Sequence, residues 1–356
     1  MNKFTIRKDT RRDLITYLAV IVGFVLLTIL SDTKVLGRAQ IALLIPICCY
    51  IVAALGLNMC VGILGELSLG HAGFMSVGAF TGIIASQSLA SSIPDTTIRL
   101  IVALVIGALC AAVMGFLIGI PVLRLKGDYL AIVTLAFGEI IKDLITCLIV
   151  GVDENGLHVV FNASGTKSVT DLGMSAEGKT IIQGAQGAVG TETISTFLGG
   201  AVLIMIALII VLNFKRSRSG RAVMAIRDNR IAAEASGINV TRYKMIAFVL
   251  SAAIAGAAGV LYGLNFSSIV ATKFNFNTSI LILVYVVLGG LGNMQGTIIA
   301  ATVLYALPEL LRAFSDYRML VYAIVLILVM IFTNNKQIKQ LFMKLIPGRK
   351  KNKEVN

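Results

Sequence analysis

Polar and ionisable side chains interrupt the apolar stretches of this chain where they could contact a solute. Residues 62–78, the glycine-rich segment, carry a carboxylate, hydroxyls and a histidine among repeated glycines. Glycine weakens a helix and permits close backbone approach, and interrupted membrane helices expose backbone groups that bind polar solutes. We predict that Glu66, Ser68, Gly70 and His71 lie beside a solute pathway or at its mouth. A tight turn between two spans is the alternative, and for His71 alone packing is the preferred interpretation.

Glu139 is a second candidate, because it lies within the fifth apolar stretch. At about 1.5 Å per helical residue it would sit roughly 15 Å deep. A carboxylate at that depth is costly and is expected to face protein or water. Lys142 follows three positions later on the same helix face, so an internal ion pair is the preferred interpretation. Direct contact with a solute is compatible with that pair.

Residues 214–244, the basic segment, separate two long apolar stretches and are too polar to lie in lipid. Arg227–Ala235 contains good helix formers with mixed charge, Asp228 lies near its start, and Gly237 offers a stop just beyond its end. We therefore predict a short helix held at the membrane face. Such a helix can dock on a partner and couple a transport pore to a motor that the pore does not contain.

Residues 173–180 match the phosphate-binding pattern G-x-x-x-x-G-K-[ST]. A genuine phosphate loop follows a buried strand and opens a helix whose N-terminal amides hold the phosphate. The residues that follow are rich in glycine and poor in helix formers. We therefore expect no nucleotide site in this chain.

The elements that position these residues are apolar stretches long enough to cross lipid. Hydrophobic residues make up 57% of the 356 residues and charged residues 14%, which excludes an ordinary soluble domain. Ser251, Ala255, Gly259 and Gly263 repeat every four residues, as in a helix-packing stripe. We predict an all-α integral membrane protein with about ten transmembrane helices in a single domain. The stretches are 14–30, 41–60, 71–90, 98–120, 129–150, 194–214, 245–266, 278–290, 297–312 and 319–332.

Charge alternates across these stretches. With the N-terminus inside, the inner segments hold 22 Lys and Arg residues and the outer segments eight. Cytoplasmic loops retain positive charge, so residues 1–13, the basic segment and the basic tail 334–356 are predicted to be cytoplasmic. The net charge of +13 then reflects topology and anionic lipid, and does not indicate nucleic acid. The long loop 151–193 is predicted to be extracytoplasmic and irregular or only lightly structured, serving either as a docking site or as a connector.

Five runs resemble the permeases of branched-chain amino-acid ABC importers, and among these the M-type subunits. The resemblance covers nearly the whole chain from about residue 41. It implies an ABC-importer permease fold. The runs are Leu67–Met75, Pro121–Ile141, Gly220–Asn239, Val286–Gly292 and Leu307–Arg312.

The resemblance also implies a function and partners. It implies a permease subunit, not an enzyme, that imports leucine, isoleucine or valine through the plasma or inner membrane of a bacterium. The implied partners are a second, H-type permease, two ATPases that hydrolyse the ATP, and an extracytoplasmic binding protein. No cofactor or metal is implied for this chain itself. The family's coupling segment falls on Arg227, Asp228, Glu234, Ala235, Gly237 and Ile238.

Three alternatives remain open. Related permeases serve other amino acids or urea, because family specificity resides largely in the binding protein. A carrier driven by an ion gradient would use Glu139 and Glu66 as proton or sodium sites. A passive channel for a small neutral solute would need no ATP, but it would leave the docking segment without a purpose.

Overall fold

A computed structural model describes residues 8–33, 37–125, 127–153, 156–162, 169–174 and 178–311, together with 320, 323–324 and 327. By internal contacts the chain divides into Met1–Val303 and Leu304–Asn356, and the sites below lie in the first unit. The predicted tail 334–356 and most of the tenth apolar stretch lie outside the described residues.

Helices account for most of the described chain, and nine of the ten predicted apolar stretches coincide with one. The helices are α1 Lys8–Asp32, α2 Arg38–Asn58 with a π-helical extension Met59–Leu64, α3 His71–Ser88, α4 Thr96–Val122, α5 Asp128–Thr146, α6 Phe197–Arg216, α7 Arg218–Asp228, α8 Arg230–Ala235, α9 Val240–Gly263, α10 Phe276–Gly289 and α11 Met294–Leu310.

Side chains at the helix starts explain where several helices begin. Asp95 accepts a hydrogen bond from Thr97 N at 2.8 Å before α4, and Thr196 accepts one from Gly199 N at 3.1 Å before α6. Asn275 does the same before α10. Each of these side chains accepts a hydrogen bond from a backbone N–H that has no partner within the helix.

Five helical segments among the described residues are long and apolar enough to cross a membrane by length and composition. They are Asp13–Ser31, Arg38–Leu64, Thr96–Val122, Phe197–Arg216 and Val240–Gly263. A shorter apolar helix, Phe276–Gly289, accompanies them. The chain is thus a mostly helical membrane protein with several spans.

Helix α9 lies at the centre and packs against α2, α3 and α4. The predicted stripe of small residues forms much of this contact, which confirms its packing role. Ser251 donates a hydrogen bond to Gly56 O at 2.6 Å, and Gly259 faces the backbone of Met75 so closely that a Cβ there would lie 1.9 Å from Met75 O. Small residues allow such backbone approach in the absence of a strong hydrophobic drive between helices.

Gly259→Ala should therefore destabilise the fold, by about 1–3 kcal/mol as in other overpacked cores. The α3 backbone cannot move aside as a flexible side chain could. The measurement is the midpoint of thermal unfolding in mild detergent. Gly23→Ala is the matched control, because a Cβ at Gly23 would meet nothing within 4 Å. Equal midpoints for the two variants would contradict this close contact.

The fold is mostly helical rather than all-α, because five short strands accompany the helices among the described residues. They are β1 Leu148–Asp153, β2 Gly156–Phe161, β3 Lys179–Gln183, β4 Ala188–Val189 and β5 Ser268–Ile269. They form one antiparallel sheet in the order β2-β1-β3-β4-β5, so the predicted outer loop is lightly structured rather than irregular. The fifth stretch ends early, since β1 begins at Leu148. Val, Ile and Thr residues in β1 to β3 favour strands.

The resemblance to a phosphate loop is not accompanied by the required structure. Lys179 and Thr180 open strand β3 rather than a helix, and Lys179 Nζ donates to Gln87 Oε1 at 2.9 Å. Residues 175–177 lie outside the described part of the chain. A short 3₁₀ turn, Gly184–Gln186, follows the strand. The expectation that no helix follows is confirmed.

Candidate functional site

The basic segment folds as two helices rather than the single helix predicted for Arg227–Ala235. Helix α7 ends at Asp228, and Asn229 begins α8 by accepting a hydrogen bond from Ala232 N at 3.1 Å. Asn229 is extended, with φ −156° and ψ 103°, so the helical path is broken there. Asp228 therefore closes the first helix instead of opening the predicted one.

The predicted stop at Gly237 is confirmed. Gly237 has φ +80°, its N–H donates to Glu234 O at 3.0 Å, and Ile238 N donates to Ala233 O at 3.1 Å. This pair of bonds is the Schellman motif, which needs a left-handed residue at the turn. Ala235 ends α8, and the chain then turns towards α9.

A small apolar core holds α7, α8 and the start of α9 together. Ile226, Ala233 and Val240 are buried in it, and Ile238 and Tyr243 pack against it. Glu234 lies on the opposite, exposed side and pairs with Arg230 Nε at 2.9 Å. The basic segment is therefore a defined surface and not a loose connector.

Ile231 is the residue that sequence reasoning missed on this surface. Its side chain is 80% exposed at the outer face of α8, where a polar residue would be expected on a solvated helix. The signal was present, since Ile231 is the one large apolar residue of the six in α8. At this exposure, and beside the exposed ion pair of Arg230 and Glu234, Ile231 is accessible to another chain.

Arg227, whose side chain is 40% exposed, reaches the glycine-rich segment. Its Nη1 donates to Gly62 O at 2.8 Å, and its other guanidinium nitrogens bond Asp228. Gly65 has φ +81°, and a Cβ added there would lie 2.4 Å from Arg227 Cγ. The structure thus brings the predicted coupling segment into contact with one end of the predicted pathway segment.

Glu66 forms an ion pair with Lys244, which lies in the first turns of α9. Both side chains are largely buried, at 15% and 6% exposure. The pair joins the glycine-rich segment to the helix that follows the basic segment. Sequence reasoning did not find Lys244, because 178 residues separate the partners.

Asn58 anchors the start of the same segment. Its Oδ1 accepts from Gly292 N at 2.8 Å, and its Nδ2 donates to Thr297 Oγ1 at 2.7 Å. Asn58 precedes the π-helical turn Met59–Leu64, and such turns recur at functional sites. The turn between α10 and α11 therefore meets the glycine-rich segment beside Arg227.

His71 is buried among core residues. Its Nε2 lies 3.1 Å from Ser251 Oγ, which donates its own proton to Gly56 O. A hydroxyl that donates elsewhere accepts here, so Nε2 carries the hydrogen in neutral His71. His71 Nδ1 and Ser68 Oγ are buried and find no partner among the described residues. The packing interpretation of His71 fits these contacts.

The glycine-rich segment packs against α5 at Thr134, which precedes Glu139 in the same helix. A Cβ added to Gly70 would lie 2.3 Å from Thr134 O, and Leu69 N donates to Thr134 Oγ1 at 3.0 Å. The predicted ion pair between Glu139 and Lys142 is present. Glu139 Oε1 also accepts from Phe276 N at 2.9 Å, at the start of α10.

The candidate site is therefore a contact region in which three connections between apolar helices meet. They are residues 62–71, the basic segment and the α10–α11 turn. Within the described residues, no group of three or more His, Cys, Asp or Glu side chains could hold a metal ion. Several apolar helices long enough to cross a membrane, with connections that meet in this way, define a multi-pass membrane protein.

Comparison with known proteins gives the family. Residues 39–330 match the family model described as the permease component of branched-chain amino acid transport systems. The chain belongs to this family. It is a transport subunit of the inner membrane and not an enzyme.

Individual curated relatives of the chain are also permease proteins of branched-chain amino acid transport systems. The chain is 35% identical over 314 residues to the high-affinity branched-chain amino acid transport system permease protein LivM of Escherichia coli, covering 83% of this chain and 68% of the relative. LivM of Salmonella typhimurium is 34% identical with the same shares. LivH of Escherichia coli is 27% identical over 79% of this chain and 88% of that protein. No solved structure matches the chain.

Proposed function

We propose that this chain is the transmembrane permease subunit of an ATP-driven importer of branched-chain amino acids, leucine, isoleucine and valine. It forms the translocation pathway with a second, H-type permease. The observation that carries the proposal is the two-sided basic segment. One side, at Arg227, bonds the glycine-rich segment, and the other presents Ile231 to a partner. Similarity to both LivM and LivH supports the pairing of two related permeases.

The proposed topology has ten spans and cytoplasmic termini. Contacts between the described connections support it, because those that meet one another are assigned to the same side. The inner connections 61–70, 215–244 and 291–296 contact one another through Arg227, Lys244 and Asn58. The outer loop 151–193 shares its sheet with Ser268–Ile269, which is also assigned outside. We assign that sheet to the face that receives an extracytoplasmic binding protein.

Energy enters the pathway through the basic segment. Two partner ATPases bind and hydrolyse the ATP, so this chain needs no cofactor or catalytic residue. As the ATPases close, α7 and α8 move with one of them and pull on α6 and α9, which flank the basic segment. Arg227 and Lys244 carry that displacement to the glycine-rich segment. Transport follows because the inward and outward states differ in affinity for the amino acid.

A carrier driven by an ion gradient is less well supported. It needs Glu66 or Glu139 as an ion-binding carboxylate, and both are already paired with a lysine. A paired carboxylate binds a proton or sodium ion only after that pair opens. We therefore propose that these residues shape the pathway or contact the solute, and do not bind a coupling ion. They are Ser68, Gly70, His71 and Glu139.

The direct test is to purify the tagged chain from native membranes in mild detergent and identify the bound proteins by mass spectrometry. We expect a second permease and ATPase subunits with the wild type. Ile231→Asp should retain the permease and lose the ATPases by at least about tenfold, because burying an unpaired carboxylate at the contact is costly. Thr241→Asp adds the same charge to an exposed position in the first turn of α9, outside α8, and should retain both.

Two results would contradict the proposal. If the wild-type chain is recovered alone while its amino-acid uptake in the same cells is intact, it works without ATPases. If Ile231→Asp retains the ATPases as well as Thr241→Asp does, α8 is not their docking surface. Uptake of radiolabelled leucine, competed by isoleucine, valine, alanine or urea, tests the proposed substrate class.

A further inference from the structure

Two cavities adjoin where α4 and α6 begin, on the side assigned to the exterior. A cavity of about 670 Å³ with a mixed lining, which includes the charged pair described below and is called the polar cavity here, lies between the first turn of α4, with Thr96 and Arg99, and residues 191–194. An apolar groove of about 490 Å³ starts beside it at Thr97 and Thr196. The groove then continues between α4, α6 and α9. Polar and apolar compartments thus follow one another along one surface of the molecule.

Arg99 gives the polar cavity an unusual electrostatic character. Its side chain is 4% exposed, although it lines the cavity, and it forms an ion pair with Glu192, which is 56% exposed. Arg99 Nε is buried without a hydrogen-bond partner among the described residues. A guanidinium has five donors arranged to match the oxygens of a carboxylate or phosphate. Arg99 is therefore not fully hydrogen-bonded by the described residues, and it lines the cavity beside an accessible carboxylate.

The groove has a buried floor and exposed rims. Leu100 and Ala207 on the floor are 5% and 2% exposed, whereas Ile101, Val105 and Leu198 on the rims are 56%, 54% and 62% exposed. From Thr97 to Ala108 the groove descends about 17 Å at ~1.5 Å per residue. One leaflet of a bilayer core is roughly 15 Å deep. The groove is thus as long as one acyl chain in one leaflet.

We propose that these two compartments form a binding site for one zwitterionic phospholipid with a primary ammonium headgroup, of the phosphatidylethanolamine class. The phosphate binds the Arg99 guanidinium, the ammonium binds Glu192, and one acyl chain lies in the groove. Both charges of the headgroup then meet an opposite charge. This proposal does not depend on the transported substrate.

A helix of a partner permease is the competing occupant of the groove. It would cover the apolar walls but would leave the Arg99 donor and the polar cavity unexplained. A lipid accounts for the guanidinium, the carboxylate and the apolar groove, which follow one another along α4. A bound lipid here would tie α4 to α6 beside the central helix α9, where an exchangeable molecule can affect how those helices move.

Native mass spectrometry of the full chain, in the assembly in which it purifies, tests the site. The assembly is mixed with equal amounts of phosphatidylethanolamine, phosphatidylglycerol and phosphatidylcholine of matched chain length. We expect one phosphatidylethanolamine retained in preference to the others. Arg99→Gln should lower its retention at least about tenfold, as expected for loss of a charged hydrogen-bonding group. Glu192→Gln should remove the preference for the primary ammonium.

Two further variants separate the site from general effects. Ala108→Phe fills the deep end of the groove and should weaken all three lipids alike. Lys273→Gln removes an exposed positive charge from the same side, away from both cavities, and should change nothing. Each variant is first checked for an unchanged thermal unfolding midpoint; if Arg99→Gln unfolds, Glu192→Gln carries the comparison. Equal retention of the three lipids by wild type, preference for phosphatidylglycerol, or an assembly that contains the second permease and retains no phosphatidylethanolamine would overturn the proposal.

Discussion

Arg227→Gln should leave the importer assembled but reduce amino-acid uptake by roughly ten- to hundredfold. The reason is that Arg227, although its side chain is 40% exposed, bonds Gly62 O of the same chain through Nη1 at 2.8 Å. A hydrogen bond from a charged group contributes about 1.5–3 kcal/mol, and about 1.4 kcal/mol corresponds to a tenfold change. Without it, the docked helices can move while the glycine-rich segment stays behind. Uptake and ATP hydrolysis are measured on the same reconstituted vesicles.

Arg221→Gln is the matched control for that experiment. Arg221 Nη1 also donates to a backbone carbonyl, Arg216 O, at 2.7 Å. That bond stays within the basic segment and does not reach residues 62–71, so uptake should be nearly unchanged. The expected signature of Arg227→Gln is ATP hydrolysis that continues without uptake. Loss of the ATPases from the Arg227 variant would instead place this arginine on the docking surface and contradict its assignment to the contact with Gly62.

Helix positions were predictable because lipid imposes a simple rule. A span must satisfy its own backbone and present apolar side chains, so long apolar runs reveal helices directly. Gly237 was equally readable, since a left-handed turn after a helix favours glycine. The break at Asn229 was also signalled, because Asn at that position is a favoured start of a helix. Because good helix formers lie on both sides of Asn229, one continuous helix was predicted instead.

The sheet and the inward contacts were much harder to predict. Strands β1 to β4 are short, and β5 joins them from about 80 residues further along the chain, where local pattern has no influence. It was equally hard to predict that Lys244 is the partner of Glu66. A single sequence shows which residues are charged, whereas the pairing of distant charges depends on how the helices pack. Arg227 was therefore assigned to a docking surface without any indication that it also bonds Gly62 of the glycine-rich segment.

Lys244→Met should destabilise the protein by roughly 3–5 kcal/mol, the cost of leaving one member of a buried ion pair without its partner. Glu66 would remain with its side chain 15% exposed and no cation beside it. Replacing both members, Glu66→Gln with Lys244→Met, removes the unpaired charge and should recover most of the lost stability. A hydrophobic or neutral replacement of a whole buried pair is often close to neutral. The thermodynamic coupling between the two positions is thus expected to be large and favourable.

Thermal unfolding can be followed with a thiol-reactive fluorogenic dye, because the chain has no tryptophan and Cys48, Cys49 and Cys60 are buried and free. The exposed pair of Arg230 and Glu234 supplies the control. Arg230→Gln should cost only about 0.3–0.5 kcal/mol, since solvent screens a surface pair. If the double variant is as unstable as Lys244→Met alone, the loss comes from packing of the lysine stem and not from an unpaired charge. If it recovers both stability and uptake, the pair holds the fold; if it recovers stability without uptake, the charges at Glu66 and Lys244 also serve to transmit motion from the basic segment.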